Sequence, residues 1–318
     1  GRMDGDTVTI PIEENTSTSA RTISGAYVFH DISIPYSFTQ EGREELPYNQ
    51  QYLTFEILTG GTILWKAAST AVTRTISYSI NDGEWTEITS TTDGGEINVS
   101  ASDKVRFKGS NSRYATGKDI ASTFSGSTAA FDAYGNAMSL IGGDNFGGLT
   151  SFTTDWAFHD LLNTTNVVSA KNLVLPVTTL TECCYRAMFA HAKKLTEAPE
   201  LPATTLAASG YCYMFQECKA LQKAPDLLAE NIIGGCYIGM FDSASTLNYI
   251  KCTATSGVAT GNTSRWTNTV SNTGTFIRAS NVNWTRGING VPTSWELYND
   301  TNVEVPIISF NGFDTITL

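Results

Sequence analysis

The sequence has few of the residues that most enzymes use for chemistry. It contains only three histidines, His30, His159 and His191, which lie far apart along the chain. It has no HExxH segment, no nucleophile elbow and no phosphate-binding glycine loop. Its two pairs of adjacent glutamates do not suit glycoside hydrolysis, because neighbouring side chains of a strand point to opposite faces rather than across one cleft. We therefore expect no catalytic residues and no enzymatic activity.

Long apolar runs and an excess of positive charge are also missing. No stretch reaches the roughly 18 apolar residues that a membrane-spanning helix needs. The net charge is −11, whereas nucleic-acid binding requires clustered lysine and arginine. We therefore expect no membrane span and no nucleic-acid partner. Apolar residues still make up 41% of the chain, which is enough for a sizeable core.

The cysteines do not follow a metal-binding pattern. There are six, Cys183, Cys184, Cys212, Cys218, Cys236 and Cys252. None belongs to a CxxC pair, so the spacing predicts no zinc site, and nothing else in the sequence predicts a metal or a cofactor. Cys184 and Cys236 recur at one position of a sequence repeat, which favours free thiols packed in a core. Disulfides are the alternative if the protein is exported.

A 26-residue repeat dominates the middle of the chain. Four apolar columns recur in three copies: Leu180, Leu206 and Ile232; Tyr185, Tyr211 and Tyr237; Met188-Phe189, Met214-Phe215 and Met240-Phe241; Leu195, Leu221 and Leu247. A fixed period of this length is typical of stacked repeats, in which each unit buries its apolar face against its neighbours. An earlier, degenerate copy fits the register if one residue is inserted.

Each copy divides into two parts. Apolar residues at every fourth position, such as Leu180, Cys184 and Met188, predict a short helix. The following Leu-x-x-Ala-Pro stretch predicts a strand that is brief or irregular, because proline cannot donate a ladder hydrogen bond. Residues 256–300 lack the period, and their large aromatic rings predict a terminal cap.

Short alternating strands fill residues 52–140 and predict an antiparallel β-sandwich. Asn81-Asp82-Gly83 lies between two of these strands and predicts a tight hairpin turn. Further strands are predicted at residues 8–12, at residues 26–38 around Pro35, and at residues 303–318.

The predicted fold class is mixed α/β and multidomain, with an antiparallel β-sandwich followed by a short leucine-rich-repeat solenoid of strand plus short helix units. The predicted domains are an N-terminal segment of strands and linker (residues 1–50), the β-sandwich (51–140), the leucine-rich repeats (141–255), and a C-terminal cap with a final strand (256–318).

The repeat resembles a known family. Leu201-Pro202, Thr204, Leu206, Tyr211, Met214-Phe215 and Cys218 match the leucine-rich repeat of BspA-like surface proteins of gut bacteria. The chain departs from that pattern where Leu228 replaces proline and where Ala192 and Ala244 replace cysteine. The resemblance implies an exported protein at the outer cell surface or secreted, often a lipoprotein with a lipid anchor before residue 1. It also implies adhesion to a host or matrix protein or glycan, and it transfers no catalytic residue.

Aromatic side chains are the candidate partner contacts. Tyr185, Tyr211 and Tyr237 form either a contact strip, if their hydroxyl groups face solvent, or an internal spine, if they face the core. Trp65 and Trp85 of the sandwich, with Tyr78, form either a sugar-stacking platform or core packing.

The leading hypothesis is a monomeric, non-enzymatic cell-surface binding or adhesion protein. The alternatives are a carbohydrate-binding module that uses the sandwich aromatics, a structural spacer, and a hydrolase.

Overall fold

β-Strands dominate the chain, as the composition of the sequence predicts. The structure is a computed structural model, and it describes residues 20–29, 32–40, 46–258, 261–280 and 282–300. Its strands are β1 (Arg21–Phe29), β2 (Ile32–Gln40), β3 (Leu53–Thr59), β4 (Gly61–Ala67), β5 (Thr75–Ile80), β6 (Thr86–Thr89), β7 (Gly95–Val99), β8 (Lys104–Lys108), β9 (Ala115–Gly117), β10 (Ile120–Thr123), β11 (Ala130–Asn136), β12 (Asn166–Val167), β13 (Leu173–Val174), β14 (Tyr249–Cys252), β15 (Thr275–Arg278) and β16 (Glu296–Asn299).

Helices are few and short in the described part of the chain. A single α-helical turn, α1, spans Ser139–Gly142, and 3-10 turns occupy Tyr48–Gln50, Thr70–Val72 and Gly143–Gly148. Among these residues, no helix is both long enough and apolar enough to cross a bilayer.

The described residues fall into two compact units that meet in sequence between Pro47 and Tyr48. In the first unit, β1 and β2 form an antiparallel hairpin in which Arg21 faces Gln40. A strand around Pro35 is thus confirmed, but the single strand predicted at residues 26–38 is wrong, because that range covers the end of β1 and most of β2. The strands predicted at residues 8–12 and 303–318 lie outside the described residues.

Two sheets built largely of antiparallel pairs begin the second unit. The larger has seven strands in the order β12-β11-β3-β8-β5-β6, with β13 also beside β11, and the smaller has the order β7-β4-β10-β9. The predicted hairpin between β5 and β6 is confirmed, since Asn81 and Asp82 both have positive φ, as a tight type I′ turn requires.

One aromatic core serves both sheets. Phe124 lies with its ring centroid 4.9 Å from that of Phe55 on β3 and 4.8 Å from that of Trp65 on β4. The larger sheet also reaches the repeats, because β11 pairs in parallel with β12 and β13 of the degenerate copy. A continuous cluster of buried apolar side chains therefore extends from Leu53 to Trp295.

The helix predicted in each copy is wrong. The chain instead forms a run of overlapping tight turns, here called a turn segment, at residues 181–192, 207–218 and 233–244. In the first, the amide of every second residue donates to the carbonyl three residues earlier, as Cys184 does to Thr181 and Met188 to Tyr185. Every second turn carries a residue of positive φ at its third position, the signature of a type II turn.

The amides between those donors connect neighbouring copies. Cys183 donates to the carbonyl of Ala208, Tyr185 to that of Gly210, and Ala187 to that of Cys212. Turn segments therefore pair side by side much as strands do, and the backbone donors are satisfied alternately within a copy and between copies. In this arrangement, side chains four residues apart lie on the same side of the turn segment. Apolar residues therefore recur at every fourth position although the segment is not a helix.

The backbone period extends beyond the three copies visible in the sequence. The positive-φ positions are Trp156, Asp160 and Thr164; Cys183, Ala187 and His191; Ser209, Tyr213 and Glu217; Gly235, Gly239 and Ser243; and Arg265 and Thr269. The first set precedes the second by 27 residues, so the prediction of a degenerate copy with one inserted residue is confirmed. The last pair keeps the 26-residue spacing, so the expectation that the period is lost after residue 256 is wrong for the backbone.

The strand side of each copy is brief, as its prolines predict. Single parallel bridges join Ser169 to Glu197 and Lys223 to Tyr249. Only after the last proline-bearing copy does a regular parallel sheet form, in the order β14-β15-β16.

Candidate binding site

The tyrosine column lies in the interior. Tyr185 is 0% exposed, and its ring stacks on that of Tyr211 with centroids 5.8 Å apart. Tyr237 continues the column at 6.4 Å, and Trp266 follows at 6.1 Å. Burial raises the pKa of all three tyrosine hydroxyl groups well above the ordinary value. This geometry fits the internal spine, and it leaves these side chains no surface to offer a partner.

The structure does not bring Trp65 and Trp85 together as a platform. Trp65 on β4 is completely buried, and its indole N–H donates to the carbonyl of Arg74 at 2.8 Å. Trp85 lies in the β5–β6 connection and is half-buried. A sugar needs an exposed ring face on which to stack. Trp65 cannot supply one, so of the two only Trp85 retains exposed surface.

The surroundings of Trp85 occupy much of its ring. The Lys108 ammonium lies 4.3 Å from the ring centroid and the Arg106 guanidinium 5.4 Å from it. The edge of Tyr52 also packs on it, with centroids 5.1 Å apart. Lys108 in turn pairs with Asp144 at 2.8 Å, and this pairing holds the pKa of the Asp144 carboxyl below its usual value. These are internal cation–π contacts that fix the loop.

The histidine and cysteine side chains of the described residues do not come together at one site. His159 is buried, with Nδ1 2.9 Å from the carbonyl oxygen of Arg186, and His191 lies 3.4 Å from a carboxylate oxygen of Glu217. All six cysteines are buried and free. Burial raises their pKa values, to about 12 for Cys184. Within the described ranges, no group of three or more histidine, cysteine or acidic side chains could hold a metal ion.

A groove of about 650 Å³ opens on the strand side of the repeats. Its lining comes mainly from residues 196–202 of the first copy and residues 223–228 of the second, with Lys171 from the degenerate copy. We call these two stretches the groove strands. Each carries the Ala-Pro step of the repeat, so the feature that shortens the strands also shapes the groove.

The groove lies where the ladder between copies is interrupted. Between the second and third copies, Ala224 donates to the carbonyl of Tyr249, Leu227 to that of Lys251, and Asn248 to that of Gln222. Between the first and second copies, no backbone hydrogen bond joins residues 195–202 to 221–228, although both stretches are fully described. The turn segments of the same two copies remain paired, so the gap is confined to the strand side.

Proline marks the interface at which the gap falls. Pro199 and Pro225 occupy equivalent positions in the two groove strands, and neither has an N–H to donate. In the third copy the equivalent residue is Lys251, and there the ladder to the second copy forms. The gap therefore coincides with the interface at which both copies carry a proline.

Charged groups surround the groove with a small acidic excess. Lys171 pairs with Glu197 at 3.7 Å, and Lys251 pairs with Asp226 at 3.7 Å. The Lys223 ammonium lies 5.1 Å from the ring centroid of Tyr249. Glu200 is exposed and forms no ion pair with any described residue.

An apolar side chain stands at the rim. Leu228 is 41% exposed and lines the groove. It occupies the place of Pro202 in the preceding copy, so the departure from the repeat pattern lies at the groove itself. Sequence reasoning identified both the Ala-Pro step and the Leu228 substitution but did not name these residues as a site. The signal available in the sequence was proline at the same position of two consecutive copies, together with Leu228 in place of a proline in the second of them.

Comparison with protein-family models, with curated proteins and with solved structures gives no match to this chain.

Proposed function

We propose that this chain is a non-enzymatic binding protein whose stacked copies form a leucine-rich-repeat solenoid continuous with a β-sandwich, and whose ligand site is the groove. The observation that carries the proposal is the interrupted ladder between the groove strands, beside an exposed apolar rim. Backbone groups and an apolar surface that the chain does not itself cover are what a binding site requires. The resemblance to BspA-like surface proteins supports a location outside the cell and a protein or glycan partner.

The test is a binding screen with a matched pair of variants. The full chain is applied to arrays of extracellular-matrix proteins and of glycans at micromolar concentration. Hits are then measured with Leu228→Ser and with Ile233→Ser. Leu228 and Ile233 are equally exposed, at 41% each, but only Leu228 lines the groove. We expect Leu228→Ser to weaken binding at least tenfold and Ile233→Ser to leave it unchanged.

Three results would count against this function. Equal losses in both variants would place the ligand away from the groove. No binding on either array would favour the structural spacer. Binding abolished by Trp85→Ala but not by Leu228→Ser would favour the carbohydrate-binding module.

A further inference from the structure

We propose that the ligand of the groove is an extended polypeptide segment whose backbone bonds to the groove strands in place of the missing ladder. This inference rests on the proposed function, since it names the class of ligand for the same groove. The proposed ligand is a peptide strand in which apolar side chains alternate with cationic ones.

The first support for this inference is a set of backbone amides at the groove that form no hydrogen bond. In the next interface the amides of Ala224, Leu227 and Asn248 are all bonded to a neighbouring copy. Their equivalents 26 residues earlier are Ala198, Leu201 and Gln222, and these amides form no hydrogen bond with any described residue. Ala198 and Leu201 of the first groove strand, with Gln222 directly before the second, therefore present amide donors for a strand partner.

The next interface shows which chemistry fits those donors. There the amides of Ala224 and Leu227 bond to the carbonyl groups of Tyr249 and Lys251, which lie two residues apart. An extended polypeptide presents carbonyl groups to one side with that two-residue repeat, about 6.6 Å. Addition of a strand to an open sheet edge is an established mode of peptide recognition.

The gap exists although the same two copies are paired elsewhere. On the other side of the copies, the amides of Cys183 and Tyr185 donate to carbonyl groups of the second copy. The amides of Ala198 and Leu201 are therefore left for a separate chain.

Side chains of the lining set the preferred sequence. Leu228, which is exposed, and Pro225, which is half-buried, offer apolar surface for side chains of a bound strand. Glu200 is exposed and has no ion-pair partner among the described residues, and the lining holds three acidic side chains against two basic ones. A cationic residue facing Glu200 is favoured by this charge distribution.

The probes are fluorescein-labelled nonapeptides of alternating Leu-Lys, Leu-Glu and Leu-Ser, titrated with the full chain and followed by fluorescence anisotropy at physiological salt. We expect Leu-Lys to bind at least tenfold more tightly than Leu-Glu. We expect methylation of alternate backbone nitrogens of the Leu-Lys peptide to weaken binding at least tenfold without changing charge. It removes the N–H groups that a bound strand would donate to the carbonyl groups of Thr196 and Lys223, which accept no hydrogen bond from a described residue. Leu228→Ser should weaken binding, and Ile233→Ser should not.

The outcomes separate this inference from the proposed function. If the peptides fail while soluble chito- or cello-hexaose binds in a Leu228-dependent manner, the groove is a binding site but the peptide inference is overturned. Equal affinity of the methylated and unmethylated peptides also overturns it, since charge alone would then explain binding. If neither peptides, glycans nor matrix proteins bind, both proposals fall.

Discussion

At the scale of single residues, buried tyrosines differ in whether their hydroxyl groups form hydrogen bonds. The hydroxyl oxygen of Tyr185 is buried and forms no hydrogen bond with a described residue, whereas the hydroxyl of Tyr114 donates to the carbonyl of Leu140 at 2.5 Å. A buried hydroxyl without a partner lowers stability, and a buried carbonyl that loses its donor does the same. The two tyrosines are therefore a matched pair.

Tyr185→Phe is expected to leave the free energy of unfolding unchanged or to raise it by about 1 kcal/mol, because it removes only an unpartnered hydroxyl. Tyr114→Phe is expected to lower it by about 1–3 kcal/mol. Urea denaturation followed by tryptophan fluorescence measures both. A loss of more than 1 kcal/mol in Tyr185→Phe would show that this hydroxyl has a bonding partner.

The phenylalanine column predicts a large effect of truncation. Phe215 is fully buried, and its ring stacks between those of Phe189 at 5.6 Å and Phe241 at 5.9 Å. Phe215→Ala is expected to lower the free energy of unfolding by about 3–5 kcal/mol, the usual loss for a buried phenylalanine. A near-neutral shift in thermal unfolding would contradict its place in the core.

At the scale of the element, a turn segment and an α-helix bury side chains with the same four-residue spacing. They differ in the residues that their backbone conformations favour. A helix accepts alanine readily and disfavours glycine. A turn segment needs positive φ at every fourth residue, where glycine is favoured and other residues are strained. The third copy has Gly235 and Gly239 at two such positions, four residues apart.

Two substitutions at equivalent positions test this geometry. In Gly239→Ala, at φ 57°, the added Cβ overlaps the ring of Tyr213, so the free energy of unfolding should fall by at least about 1–2 kcal/mol. Ala187→Gly, at φ 52°, should be neutral or stabilising. A helix would give the reverse signs, about 1 kcal/mol in each direction. Urea denaturation of both variants gives the answer.

At the scale of the whole molecule, one apolar core joins the sheets to the repeats and contains the thiols of Cys184, Cys218, Cys236 and Cys252, while Cys183 and Cys212 are buried outside it. Because this core excludes water, burial raises the pKa of Cys184 and of Cys252 from 9.0 to about 12. Folded thiols therefore stay neutral at a pH where unfolded thiols ionise.

The free energy of unfolding should be insensitive to these thiols below pH 9 and should fall as the pH rises from 9 toward about 12. The sign follows because the unfolded chain releases protons that the folded chain retains. Cys184→Ala should make this fall shallower. At pH 8, the folded protein should not react with Ellman's reagent, whereas the urea-unfolded chain should show six thiols. Rapid reaction before unfolding would contradict their burial.

Much of the architecture could be predicted from patterns that reflect burial. The Asp82 hairpin, most strands of the two sheets and the inserted residue of the degenerate copy follow from alternation or period, because burial repeats with the backbone. Strands β9 and β10 were missed, since Ala115–Gly117 and Ile120–Thr123 are short and carry little alternation. The groove could not be predicted in this way, because the role of the Ala-Pro steps and of Leu228 depends on the neighbouring copy beside which they lie.

The sequence by itself determined which faces are buried, since the 26-residue period places the same apolar residues against each other whatever the local backbone does. It also determined where the strands must be brief, because proline lacks a donor in every context. Only the tertiary structure decided that four-residue spacing is a run of turns, because helices and turn segments share that spacing and differ in hydrogen bonds between copies. It alone decided that the tyrosine column is internal and that a groove opens between two copies that carry proline, since both depend on the position of one copy against the next.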